Sequence, residues 1–137
     1  MGIWYYIHMV KPQDVSVLIV EDETFLRELY EELLVGEGYR VTTAVDGQDA
    51  IDKANEHKFD LTLLDIMLPK KDGLTVMEEL NSAKHLDQLG KVVFLTNLGQ
   101  DAVIKKGFDL GAVGYLIKSA YTPDQILIEV SSYLESS

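Results

Sequence analysis

Short apolar runs alternate with segments of helical spacing five times along the chain. The apolar runs occupy residues 15–20, 39–45, 60–64, 91–95 and 113–117. The helical segments, in which apolar side chains recur every three or four positions, occupy residues 23–35, 47–57, 74–84, 100–110 and 122–134. This alternation predicts an α/β fold, with a parallel sheet covered by helices on both faces. The first, third and fourth runs are almost continuously apolar, as strands buried on both sides are.

Composition and charge narrow the class of protein. The chain has 137 residues and no cysteine, so it is long enough for one domain without disulfides and has no thiolate for a metal site. The lack of cysteine fits a reducing compartment, and we expect a cytoplasmic protein. Lys and Arg total 12 against 23 Asp and Glu, and the formal charge of −11 disfavours direct binding to nucleic acid or an anionic membrane. No apolar run approaches the roughly 20 residues of a membrane-spanning helix.

Residues 1–14 precede the first strand and differ from the rest of the chain. Residues 2–7 are uncharged and largely aromatic, and they are too short for a secretory signal. His8 and Met9 are the residues that a common cloning junction encodes, so one interpretation makes residues 1–8 a tag and Met9 the natural start. The alternative is a native aromatic arm that packs on this domain or on a neighbour.

Polar residues with complementary chemistry stand at the strand ends. Glu21 and Asp22 follow the first run, Asp65 the third, Thr96 the fourth and Lys118 the fifth. Because the carboxyl ends of parallel strands meet at one edge of a sheet, we expect these side chains to share a crevice. Three acids in one site repel each other by roughly 1–4 kcal/mol per pair at 4 Å. A hard divalent cation such as Mg²⁺ relieves this repulsion and prefers oxygen ligands.

Together with Pro69, Gly73 and Tyr115, these residues resemble in order and spacing the receiver domain of bacterial two-component response regulators. Any one of them is a weak signal, but the set is specific, and the resemblance covers residues 15–137. It implies a flavodoxin-like, doubly wound sheet of five parallel strands in the order 2-1-3-4-5, with five helices. It also implies a domain that promotes its own aspartyl phosphorylation and dephosphorylation and is not a metabolic enzyme.

The resemblance assigns roles in metal binding and phosphoryl transfer. Asp22, Asp65 and the backbone carbonyl of Met67 would ligate Mg²⁺ or Mn²⁺, and Glu21 would act mostly through water. Asp65 would be the nucleophile that accepts a phosphoryl group from the phosphohistidine of a sensor histidine kinase or a histidine phosphotransfer protein. The metal and Lys118 would neutralise the charge on the transferred oxygens.

The resemblance also implies a switch. The hydroxyl of Thr96 would bond the phosphoryl group, and the ring of Tyr115 would move into the vacated space. The face formed by the fourth helix, the fifth strand and the fifth helix would then change for a downstream protein or an effector domain. The last helix lacks the basic residues with which one subfamily dimerises on this face, so we expect a monomer or a weak phosphorylation-dependent dimer. A stand-alone regulator and a receiver taken from a longer protein are both consistent with the sequence.

Two other functions use similar residues. Haloacid-dehalogenase-type phosphatases have a strand-end Asp nucleophile with Thr, Lys and Mg²⁺-binding acids, and a second Asp two positions later as the general acid. Met67 occupies that position here and cannot transfer a proton. A constitutive interaction domain would keep the fold without phosphorylation.

The sequence departs from the receiver pattern after Lys118. The family usually has a proline there, joined by a cis bond, and Ser119 stands in its place. Because a non-proline cis bond costs about 2.5–4 kcal/mol, we expect this bond to be trans, or else cis and held by its surroundings.

Overall fold

The computed structural model describes residues 12–97 and 100–135. The strands are β1 (Ser16–Val20), β2 (Arg40–Ala44), β3 (Leu61–Asp65), β4 (Lys91–Thr96) and β5 (Gly114–Ile117). The α-helices are α1 (Thr24–Gly36), α2 (Gly47–Glu56), α3 (Gly73–Ser82), α4 (Asp101–Asp109) and α5 (Pro123–Glu135). Three short 3₁₀ helices are also described, at Pro12–Asp14, Leu86–Leu89 and Lys118–Ala120. None of these helices is both long and apolar enough to span a membrane.

The five strands are parallel and lie in the order β2-β1-β3-β4-β5. The predicted flavodoxin-like α/β fold is therefore confirmed, and each predicted strand and helix begins and ends within two residues of the observed one. The 3₁₀ helices were not predicted, because three or four residues are too few to show a period. The predicted tag, residues 1–8, lies outside the described residues.

Successive side chains of β1 and β4 enter alternately one and the other of two hydrophobic clusters, as the pleat of a sheet requires. In β1, Leu18 and Val20 pack in a cluster with residues of α2, α3 and α4. Their neighbours Val17 and Ile19 pack in a second cluster with residues of α1 and α5. Every residue of β3 is buried. The central strands are thus fixed from both sides, and this fixes the positions of the residues at their carboxyl ends.

Gly107 of α4 packs against the sheet where a side chain would not fit. A Cβ atom added there would lie 2.1 and 2.4 Å from two ring carbons of Phe94, which is fully buried in β4. We expect Gly107→Ala to lower the free energy of unfolding by about 1 kcal/mol, because overpacking outweighs the better helix propensity of alanine. Gly36→Ala in α1 is the matched control, since a Cβ there has no atom within 4 Å, and it should stabilise slightly. Urea denaturation measures both, and equal effects would contradict this packing.

Candidate functional site

The carboxyl ends of β1, β3 and β5 bring four charged side chains to one edge of the sheet. β1 pairs with β3 in a register that places Glu21, just after β1, beside Asp65, the last residue of β3. Asp22 follows, and the three acids each offer a carboxylate oxygen within 4.8 Å of the others. Lys118 follows β5 and reaches the same place. The structure therefore gathers four of the predicted site residues into one cluster.

Lys118 bridges two of the acids. Its Nζ lies 2.5 Å from Oε1 of Glu21 and 2.7 Å from Oδ2 of Asp65, and it donates a hydrogen bond to each. The Glu21 side chain is fully buried, that of Asp65 is 5% exposed and that of Lys118 is 14% exposed. Burial by itself lowers the pKa of Lys118, but the hydrogen bonds and charges of Asp65 and Glu21 raise this pKa above its usual value. The ammonium therefore keeps its proton at neutral pH.

The carboxylate oxygens that do not bond Lys118 differ in their hydrogen-bond donors. Oε2 of Glu21 accepts the N–H of Glu23 at 3.1 Å, and Oδ1 of Asp65 accepts the N–H of Met67 at 3.1 Å. Asp22 is exposed, and its carboxylate makes no hydrogen bond to another described residue. Asp22 is thus the acid of the cluster whose charge has no partner within the described chain.

Within the described part of the chain, the predicted switch residues Thr96 and Tyr115 make no hydrogen bond to the acids. The hydroxyl of Thr96 is buried at the end of β4 and donates to the backbone carbonyl of Asn97 at 2.7 Å. Tyr115 lies in β5 with its side chain 44% exposed, and its ring packs edge-on against Phe108 at 6.4 Å between centroids. The Thr96 hydroxyl thus bonds the neighbouring backbone, and the Tyr115 ring lies at the protein surface.

The loop that carries Lys118 has no cis bond. Lys118 begins the 3₁₀ helix that ends at Ala120, and the Lys118–Ser119 bond is trans, as are the other described peptide bonds. With serine in place of the usual proline, a trans loop still brings the ammonium to Glu21 and Asp65.

Comparison with known proteins decides the family. The family model for the response regulator receiver domain matches residues 17–131. This chain belongs to the response regulator receiver family. The receiver is 39% identical over 105 residues to the chemotaxis protein CheY of Treponema pallidum, covering 74% of this chain and 71% of that protein. It is 35% identical over 114 residues to the probable transcriptional regulator ycf29 of Porphyra purpurea, covering 82% of this chain and 53% of that protein.

Solved structures of receivers have the same fold. Chemotaxis protein CheY4 of Vibrio cholerae gives a TM-score of 0.75 at 26% identity, covering 86% of this chain and 97% of that one. A CheY-like receiver domain of Methanospirillum hungatei gives a TM-score of 0.78 at 25% identity, covering 88% of this chain and 94% of that one. The receiver spans about half the length of the transcriptional regulators that it matches. It is a receiver domain of a two-component response regulator, and such domains are regulators, not metabolic enzymes.

The residues of this receiver fit a divalent cation. Receiver domains bind Mg²⁺ at an acidic pocket, and Glu21, Asp22 and Asp65 form an acidic cluster here. Their three carboxylates and the ammonium of Lys118 leave two negative charges, which one divalent cation balances. The oxygen-only donor set suits a hard cation such as Mg²⁺. The charge balance and the chemistry of the donors therefore agree.

Two supports of this site were not predicted from the sequence. One is the β2–α2 corner, where Gly47 donates its N–H to the carbonyl of Pro69 at 3.3 Å and a Cβ on Gly47 would lie 1.8 Å from the carbonyl oxygen of Lys71. In the same corner, Asp46 caps α2 by accepting the N–H of Asp49, and it lies 3.4 Å from Lys70. The corner therefore holds the loop that follows Asp65. In the sequence, the only indication of this corner is Asp46 followed by Gly47, a pair typical of the start of a helix.

The other missed support is Arg27 of α1. Its Nη1 donates to the backbone carbonyls of Glu21 and Asp22, at 3.0 and 3.2 Å. In the sequence, Arg27 is one charged residue among several on an amphipathic helix, and nothing in its spacing distinguishes it from a solvated surface arginine.

Proposed function

We propose that this receiver is a phosphoacceptor switch in which Asp65 takes a phosphoryl group from the phosphohistidine of a sensor histidine kinase or a histidine phosphotransfer protein. The observation that carries the proposal is the contact of Lys118 with both Asp65 and Glu21, beside the exposed Asp22. This contact joins a carboxylate nucleophile to a fixed positive charge and to two further acids. Such a site supports the transfer of an anionic group to a carboxylate.

In the transfer step, an oxygen of Asp65 attacks the phosphorus, and the P–N bond to the donor imidazole breaks. The electron pair of that bond stays on the imidazole nitrogen, and Asp65 becomes an acyl phosphate. Lys118 provides positive charge beside the transferred oxygens. Glu21, Asp22, Asp65 and the backbone carbonyl of Met67 would hold Mg²⁺ or Mn²⁺. When bound, the cation supplies further positive charge for the same oxygens.

The proposed switch begins at Thr96. Its hydroxyl would leave the carbonyl of Asn97 and donate to a phosphoryl oxygen, because a hydrogen bond to a charged acceptor is about twice as strong as one between neutral groups. Tyr115 would then turn inward from its packing on Phe108. A cleft of about 550 Å³, lined by Tyr115, Tyr121 and Gln125 among others, lies on this face and would change its shape. A downstream protein or an attached effector domain would read the change.

We also propose the domain bounds, the kind of partner and the location of this switch. We assign residues 15–137 to the receiver and residues 1–14 to a leader. The formal charge of −11 supports protein partners and disfavours direct contact with nucleic acid or a membrane. We place the switch in the cytoplasm, as a monomer or a weak phosphorylation-dependent dimer.

Phosphoramidate tests the proposal, because its P–N bond is of the kind that phosphohistidine has. We expect the intact mass to show one added phosphoryl group that depends on Mg²⁺ and is removed by hydroxylamine, which cleaves acyl phosphates. Steady turnover of p-nitrophenyl phosphate without a stable adduct would identify a phosphatase instead. If neither phosphoramidate nor a phosphorylated histidine kinase gives an adduct, the chain is a constitutive interaction domain.

A further inference from the structure

Arg27 ties the backbone that carries two of the three acids to helix α1. Its Nη1 donates to the carbonyl of Glu21 at 3.0 Å and to the carbonyl of Asp22 at 3.2 Å. Its own N–H donates to the carbonyl of Glu23 at 2.9 Å, so its backbone belongs to the first turn of the helix. The side chain is half-buried. One rigid cation thus spans the junction between β1 and α1.

This junction has few other fixed points. The N–H of Glu21 donates to the carbonyl of Ala44 in β2 at 3.1 Å, and the N–H of Glu23, which shares a peptide with the carbonyl of Asp22, donates to the carboxylate of Glu21. Lys118 holds the same carboxylate of Glu21, whereas the carboxylate of Asp22 has no partner in the described chain. Among the described residues, Arg27 is the only side chain that donates to the carbonyls of residues 21 and 22. The backbone from which the Asp22 side chain projects is therefore held by Arg27 together with the bond between Glu23 and Glu21.

We propose that Arg27 is a positioning residue that holds Glu21 and Asp22 in the orientation needed to bind a divalent cation. The inference rests on the proposed function only in that these acids take the cation. Groups that orient metal ligands from outside the ligand set typically change metal affinity by 10- to 100-fold.

The positive charge of Arg27 opposes cation binding, and this repulsion must be compared with the gain from orienting Glu21 and Asp22. The guanidinium repels a cation bound by the acids, and salt weakens that repulsion only in part, because Arg27 is half-buried and contacts the backbone of both acids. The hydrogen bonds to the carbonyls act in the other direction, because they fix the backbone that carries both acids. We expect the gain from orientation to exceed the repulsion, so that removing Arg27 weakens cation binding.

Isothermal titration calorimetry with MgCl₂ tests the proposal on the full chain. Arg27→Met removes the charge and the donors while keeping an unbranched stem, and we expect its Mg²⁺ dissociation constant to rise about 10-fold. Arg27→Lys keeps the charge on a shorter stem and should fall between the wild type and the methionine variant. Arg40→Met is the matched control, because Arg40 also donates to a carbonyl, that of Asp14, but at the start of β2, away from the site. Its affinity for Mg²⁺ should be that of the wild type.

Urea denaturation without Mg²⁺ separates positioning from simple support of the fold. A structural role alone would lower the free energy of unfolding and leave the Mg²⁺ affinity of the folded protein unchanged, which would overturn the proposal. Tighter binding by Arg27→Met would also overturn it, because repulsion would then outweigh orientation. If Arg27→Met does not fold, the affinity of Arg27→Lys decides in the same way. A wild type that binds no Mg²⁺ would defeat the proposed cation site itself, and this result is distinct from a wild type that binds while the variants match it.

Discussion

Replacing Lys118 with methionine lowers the free energy of unfolding of the metal-free protein by about 3 kcal/mol at neutral pH. Breaking a buried ion pair by removing one partner typically costs about 3–5 kcal/mol, since a buried charge is left uncompensated. Here two carboxylates lose their shared partner, and that of Glu21 is fully buried. We expect the lower end of the range because Asp22 beside them is exposed and admits water. Urea denaturation measures the loss.

Mg²⁺ should restore much of this stability, because the cation replaces the lost positive charge between the acids. The wild type gains less from Mg²⁺, since Lys118 already neutralises part of the cluster. Lys71→Met is the matched control: Lys71 pairs with Glu79 at 2.7 Å, but the two side chains are 31% and 45% exposed. That variant should lose no more than about 1 kcal/mol and show the Mg²⁺ response of the wild type. A Lys118→Met variant as stable as Lys71→Met would refute the buried bridge.

The same bridge predicts how stability changes in alkali. The folded protein holds the pKa of Lys118 above its ordinary value of 10.5, so the ammonium is bound more tightly in the folded state than in the unfolded state. This contribution is fully present below pH 10.5 and is lost as the pH rises through the higher pKa of the folded state. In that alkaline range the wild type should therefore lose stability relative to Lys118→Met.

Replacing Asp22 with asparagine weakens Mg²⁺ binding by about 100-fold, which corresponds to about 2.7 kcal/mol. Lys118 pairs with both Glu21 and Asp65 and offsets one of their two charges, whereas the carboxylate of Asp22 has no partner among the described residues. The attraction for a cation at this edge therefore depends most on Asp22. The amide keeps the size of the side chain but removes the charge. Titration calorimetry with MgCl₂ measures the change.

Glu23→Gln is the control for Asp22→Asn. Glu23 is exposed, lies one position further along and makes no side-chain cap at the start of α1. Removing its charge changes the net charge equally, but it should alter the Mg²⁺ dissociation constant by only about two- to threefold. If the two variants lose affinity equally, Mg²⁺ responds to the overall acidity of the surface and not to a site built around Asp22.

The strands and helices could be predicted from the sequence, because each is defined by the spacing of apolar residues within its own segment. The apolar runs and helical spacings define each element, and residues such as Asp65 and Lys118 stand at element ends that the pattern itself locates. The proximity of the three acids could be predicted because the carboxyl ends of parallel strands lie at the same edge of a sheet. The strand order came from the resemblance to a family, since periodicity does not specify which strands pair.

The finer geometry of the site depends on contacts between distant parts of the chain. Lys118 and Glu21 are 97 positions apart, and their bond exists because β5 and β1 end at the same edge and the longer glutamate side chain reaches the ammonium. The hydrogen bond from Thr96 to the carbonyl of Asn97 depends on the rotamer of the threonine side chain, which residue spacing does not predict. The supports at Arg27 and at the Gly47 corner likewise act through backbone carbonyls, which every residue has.

Intact mass spectrometry after incubation with acetyl phosphate and Mg²⁺ shows whether Asp65 accepts the phosphoryl group. We expect one added phosphoryl group on the wild type, none on Asp65→Asn, and none on the wild type when a chelator removes the metal. Asp109→Asn, at the exposed end of α4, serves as the control and should be labelled like the wild type. Equal labelling of wild type and Asp65→Asn, or labelling that persists in chelator, would show that Asp65 is not the metal-dependent phosphoacceptor.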